Sequence, residues 1–175
     1  ALTPLRVPLA SKARPLADTE WAALAKFERT FGIRRVSGYT APGPPHGLGV
    51  CGRAVPAGWK HQPSDVWMYF GARDVELPPQ GWKIHVSAGV DDADEVLERV
   101  WDYCVPRGLA FKFLRNLPVL VMFNSKSAFR GSSGKLATIY PTDEAQLELT
   151  LKELDGILTG VRGPYILSDL RYANG

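Results

Sequence analysis

The sequence predicts an α+β fold: a single domain with a mostly antiparallel, twisted sheet flanked by helices. Three observations point there. Residues 81–88 alternate strictly, with Trp82, Ile84 and Val86 on one side and Lys83, His85 and Ser87 on the other, as a strand with one apolar face must. Two later stretches carry apolar residues at helical spacing behind acidic capping residues. Strands and helices also mix without a regular β-α-β rhythm, which argues against a parallel doubly wound sheet.

The chain has 175 residues, the size of one ordinary domain, and 45% of them are hydrophobic, enough for a sizeable core. A net charge of +3 with a pI near 8.9 suits an anionic ligand. That charge is too small and too evenly spread to predict nucleic-acid binding. No apolar run reaches transmembrane length and no signal peptide opens the chain, so no membrane association is expected. Cys51 and Cys104 do not make a disulfide framework, and a reducing cytoplasm fits them best. The chain starts with Ala1 and stops at Gly175 just after a motif-like stretch, which suggests a domain excised from a longer protein.

In chain order, residues 1–17 read as an extended arm with an edge strand near Leu5 to Leu9. Asp18 and Thr19 then cap a helix whose buried stripe is Trp21, Leu24 and Phe27, and Gly32 ends it. Residues 33–64 are rich in Gly and Pro and read as loop with short strands. His46 and His61 lie there as surface residues, with no partner at metal-ligand spacing. Residues 66–70 form a short aromatic strand, and a turn at 78–81 delivers the Lys83/His85 strand. Asp92 and Glu95 resemble a capping box for a helix with Val96, Leu97, Val100, Trp101 and Cys104 on its buried face, ending by Gly108. The acidic run 91–95 lacks the Gly and distal Glu of a calcium loop. Strands are expected at 110–114, 118–123 and 136–140. Thr142, Asp143 and Glu144 cap a last helix with Leu147, Leu151, Leu154 and Leu158 as its stripe, and Tyr165, Ile166 and Leu167 form a final strand.

The chemistry gathers between residues 81 and 141. Lys83 and His85 project from one strand face, roughly 7 Å apart at strand rise. Phe111 and Phe113 face the core, so Lys112 points the other way, either to solvent or into a site. Residues 124–135 form a Gly/Ser-rich loop bearing Lys126, Arg130 and Lys135. The P-loop spacing is absent, since Leu136 follows Lys135 and Gly131 and Gly134 stand too close. A basic surface turn and a phosphate cradle of backbone N–H groups both remain open. Histidine, lysine, arginine and tyrosine converge here without an obvious carboxylate partner, and such a set suits a dianion.

Residues 82–87 (Trp-Lys-Ile-His-Val-Ser), the Phe111-Lys112-Phe113 triplet, Asn124 with Lys126 and Arg130, Ser133-Gly134-Lys135 and Ile139-Tyr140-Pro141 resemble, in order and spacing, the lyase domain of class III and class IV lanthionine synthetases. That domain is similar to the bacterial phosphothreonine lyase effectors. Residues 163–169 resemble the stretch before the kinase domain of those synthetases. The resemblance spans roughly residues 66–172. It implies a phosphothreonine-lyase-like fold and β-elimination of phosphate from phosphoserine or phosphothreonine in a precursor peptide, giving dehydroalanine or dehydrobutyrine. It also implies kinase and cyclase domains on the same full-length chain and no metal or cofactor. By the same resemblance Lys112 is the base, His85 the acid, and Lys83 with Tyr140 the stabilisers of the enolate oxygen. Arg130 grips the phosphate, and Lys126, Lys135 and Arg171 are weaker phosphate or peptide contacts. Arg162 is a further candidate. Nearby Lys83 and Arg130 are expected to lower the Lys112 pKa. Two other classes stay open: a catalytically silent phosphopeptide- or leader-peptide-binding module, and a weak nucleic-acid or partner-binding domain.

Overall fold

The computed structural model describes residues 47–64 and 66–173. The expected arm over 1–17, its edge strand, the helix from Asp18 to Gly32, and His46 all lie outside the described residues. Five strands are described: β1 (Trp59–Pro63), β2 (Trp67–Ala72), β3 (Ile84–Val86), β4 (Ala110–Leu114) and β5 (Ala137–Tyr140). Three α-helices join them, α1 (Ala93–Cys104), α2 (Leu117–Phe123) and α3 (Glu144–Ile157), with a short 3-10 turn at Gly49–Gly52. The strands form one sheet in the order β1-β2-β4-β5-β3, and every neighbouring pair is antiparallel.

One face of the sheet is the core. Phe70, Phe111, Phe113, Ile139, Ile84 and Val86 are buried on alternate strand positions. The Phe70 ring stacks on Phe113 at 5.6 Å and meets Trp101 of α1 edge-on at 4.9 Å. The expected stripe of α1 is fully in the core, from Val96 to Cys104. Each such phenyl ring contributes about 1.5–3 kcal/mol by leaving water.

Helix entries follow local chemistry. At α3, Asp143 accepts the Gln146 amide at 2.8 Å while the Gln146 side chain accepts the Thr142 amide at 2.8 Å, a near-reciprocal cap. Leu154 is buried on its stripe, and Leu147, Leu151 and Leu158 pack beside it. The capping box expected of Asp92 and Glu95 does not form. Asp92 makes no side-chain cap and instead accepts the Arg162 amide at 3.3 Å, Asp94 accepts the Gly49 amide at 2.7 Å, and Glu95 pairs with Arg99.

Three strand expectations are corrected. Residues 118–123 are helical, not extended: Asn116 accepts the Val119 amide at 3.0 Å, and Pro118 sits in the first turn, where its missing N–H is not needed. The strand around His85 is shorter than the alternation suggested, and Trp82 lies outside it, 55% exposed rather than in the core. Residues 165–167 pair with no strand and belong to a strap that passes close to Ser87 and Gly134. The strap is seated by glycines. A Cβ at Gly163 would stand 2.6 Å from Ser87 Oγ, and Gly134, at a φ of +76°, meets the Tyr165 carbonyl.

Candidate active site

The register of the antiparallel sheet aligns a row of side chains across four strands. Tyr69 of β2 pairs with Lys112 of β4, Lys112 with Thr138 of β5, and Thr138 with His85 of β3. Residues paired in register share a face, so these four project from the side opposite the phenylalanines. Trp67 and Tyr140, two positions along their strands from Tyr69 and Thr138, share that face. The Lys112 ammonium lies 4.4 Å from the centre of the Trp67 ring.

A cavity of about 240 Å³ opens over this row. Lys83, His85, Lys112, Lys135 and Tyr140 line it with Trp67, Thr138, Gly131 and Ser132. The other cations named from the sequence do not line it. Lys126 and Arg130 are exposed on the loop that supplies its rim, and Arg171 lies over the Tyr165 ring at 4.7 Å. His61 is exposed and stacks on Phe70, as a surface histidine would.

A carboxylate does reach the site, contrary to the sequence expectation. His85 Nδ1 is hydrogen-bonded to Asp169 Oδ2, and Lys135 Nζ lies 3.4 Å from Asp169 Oδ1. The strap over residues 163–169 carries this aspartate 84 positions along the chain from its histidine. With Nδ1 engaged by a carboxylate, that nitrogen holds a proton and Nε2 is left to meet a ligand. The Ser168 hydroxyl donates to Asp169 Oδ1 at 2.7 Å. Burial alone would raise the Asp169 pKa, but Ser168, His85 and Lys135 outweigh it and hold the group below the ordinary carboxylate value.

Charge and burial tune the rest. Lys112 is held below the ordinary lysine value by burial, then by Lys83 and Lys135. Lys135, not Arg130, is therefore Lys83's partner in that effect. His85 is lowered by burial and by Lys135, with Asp169 opposing. Burial, with Tyr69 beside it, pushes the Tyr140 phenol up to about 12, so it stays a hydrogen-bond donor at neutral pH. The rings of Tyr69 and Tyr140 lie 6.3 Å apart.

The loop is a turn whose amides face inward. The Ser132 and Ser133 amides donate to the Phe129 carbonyl, the Gly134 amide to Phe123, and the Lys135 amide to Ser132. A backbone phosphate cradle is thereby closed off at these four positions, and any anion grip falls to side chains. Among the described residues, no three His, Cys, Asp or Glu side chains gather as a metal site.

The fold is that of a phosphothreonine-lyase-like α+β domain. The fold matches the type III effector and phosphothreonine lyase OspF from Shigella flexneri at a TM-score of 0.50, over 86% of each chain and with 16% identity. The chain belongs to the family of the RamC N-terminal domain, whose model matches residues 48–175. A probable SapB synthase of Streptomyces coelicolor is 50% identical over 121 residues, which is 69% of this chain. The chain spans 13% of that relative's length. The resemblance drawn from the sequence therefore holds at the level of fold and family.

Proposed function

We propose that the cavity eliminates phosphate from phosphoserine or phosphothreonine in a precursor peptide during lanthipeptide biosynthesis. The observation that carries this reading is the pairing, in one cavity, of a lysine held below its ordinary pKa with a carboxylate-anchored histidine, both among further cations. Lys112 takes the Cα proton. The C–H electron pair becomes the second bond between Cα and Cβ, the Cβ–O bond breaks, and phosphate leaves with the Cβ–O electron pair. His85 gives its Nε2 proton to the leaving oxygen. An arriving phosphate dianion favours the imidazolium form and prepares that proton. Lys83 and Tyr140 stabilise the enolate-like oxygen. Lys135 contacts the phosphate from the wall; Arg130 and Lys126 reach it from the rim, and Arg171 contacts the peptide.

The product is dehydroalanine or dehydrobutyrine. A kinase must make the phosphoester and a cyclase must consume the alkene. The much greater length of the curated relative supports placing both on one cytoplasmic chain of the class III or IV type. No helix among the described residues is long and apolar enough to cross a membrane.

Mass spectrometry of a phosphoserine peptide after incubation tests the reaction. Elimination yields a product one water lighter than the hydroxyl peptide, and that product adds thiols. Recovery of the hydroxyl peptide alone would exclude a lyase.

A further inference from the structure

Phe129 stands on the loop that forms part of the cavity wall, and it is 80% exposed. Its backbone is held in the turn. Its carbonyl accepts the amides of Ser132 at 2.8 Å and Ser133 at 2.9 Å. A Cβ built on Gly131 would lie 2.8 Å from Phe129 Cε1, so the ring rests against Gly131. Gly131 is itself a lining residue of the cavity. An apolar ring is thus held in water at the mouth of a cationic site. A single exposed ring is ordinary on a protein surface, but this one adjoins a residue that lines the cavity, and covering it with an apolar group of a bound ligand is favourable.

We infer that Phe129 is a specificity residue that takes an apolar side chain immediately beside the phosphorylated residue of the peptide. This rests on the phosphopeptide reading of the cavity. Charge sorts the ligand: Lys135 in the cavity wall receives the anion, and the mouth receives what adjoins it. Consecutive residues of an extended chain lie roughly 3.5 Å apart. A neighbour of the phosphoresidue therefore falls at the rim, whereas a small phosphate ester has nothing to place there. The substrate class is a peptide with an aliphatic or aromatic residue adjoining its phosphoserine or phosphothreonine.

Three phosphoserine peptides, identical except that both flanking residues are Leu, Gly or Glu, test this with the 175-residue chain. The Leu peptide is expected to exceed the Gly peptide about tenfold in kcat/KM, through KM. Phe129→Ala should erase that preference, bringing the Leu peptide to the level of the Gly peptide. Leu149→Ala removes another exposed apolar side chain, on α3 away from the cavity lining, and should keep the preference. No preference in the parent chain, or its survival in Phe129→Ala, overturns the inference even if elimination proceeds. Fluorescence anisotropy of the same peptides separates the two readings. Binding with the ranking intact and lost in Phe129→Ala, but without elimination, upholds Phe129 and overturns the lyase. Absence of binding to all three peptides overturns both.

Discussion

The Lys112 ammonium rests over the Trp67 ring, 4.4 Å from its centre, and no carboxylate among the described residues pairs with it. A lysine placed this way is held by a π face rather than by an anion that would fix its proton. Lys112→Met is therefore expected to cut elimination by about 10²–10⁴-fold, the contribution of a general base, while phosphopeptide affinity changes little. The methionine keeps the length and packing and loses the nitrogen. Near-normal turnover in this variant would return Lys112 to a solvent-facing strand lysine.

Arg130→Met should behave differently, because a rim cation acts through binding. Affinity and rate should fall together, with Lys135→Met showing the larger drop since Lys135 lines the cavity. Isothermal titration and single-turnover rates on both variants check the order. Equal loss of binding and activity in Lys112→Met, Arg130→Met and His85→Phe would favour the silent phosphopeptide-binding module.

Asp169→Asn removes the anion that opposes the lowering of the His85 pKa. The sign is fixed: without that carboxylate the imidazolium is less stable, so the His85 pKa falls further. An NMR titration of the His85 ring should move to lower pH, and kcat should fall with it. Removing the second cation, in Lys135→Met, should move the His85 titration up instead. A His85 titration unmoved by Asp169→Asn would separate the aspartate from the site.

Elimination needs Lys112 neutral and His85 protonated, so its pH profile should be bell-shaped. Lys112 sits below the ordinary lysine value, and the profile should therefore lie below the range of a solvent lysine. Lys83→Met relieves one of the charges that depress Lys112 and should raise the pKa of that group. A rate still climbing through the ordinary lysine range in the parent chain would contradict the assignment of the base.

Gly134→Ala tests the strap. At a φ of +76°, an added Cβ would also lie 3.2 Å from the Tyr165 carbonyl. The left-handed backbone alone costs about 1–2 kcal/mol for an alanine. Loss of stability by chemical denaturation should come with loss of the Asp169 contact, seen as the same His85 shift that Asp169→Asn produces.

Much of this arrangement was legible in the residues, and the failures have physical causes. The alternation Phe111-Lys112-Phe113 placed the phenylalanines in the core and Lys112 opposite them, because period two is a property of the backbone itself. Asp143 capped its helix as its chemistry required. The apolar run 117–123 was ambiguous, since seven apolar residues carry no period that separates a strand from a short helix. The deciding signal was Asn116 followed by Pro118, a capping residue and a first-turn proline. Asp169 was missed because nothing local marks a carboxylate whose histidine lies 84 positions away. Its neighbours Gly163 and Gly134, with their tight approaches, were the faint trace of a strap that had to lie close.

The histidine of this site rides on β3, three residues at the margin of the described sheet, where β5 is its one strand partner among the described residues. The lysine rides on β4, near the sheet's centre with neighbours on both sides. A margin strand of that length opens at a lower free energy than the interior of the sheet. The two halves of the chemistry therefore have unequal lifetimes. Amide exchange at β3 should outrun that at β4, so the chain can lose its proton donor in brief openings while the base and the aromatic core beneath it remain in place.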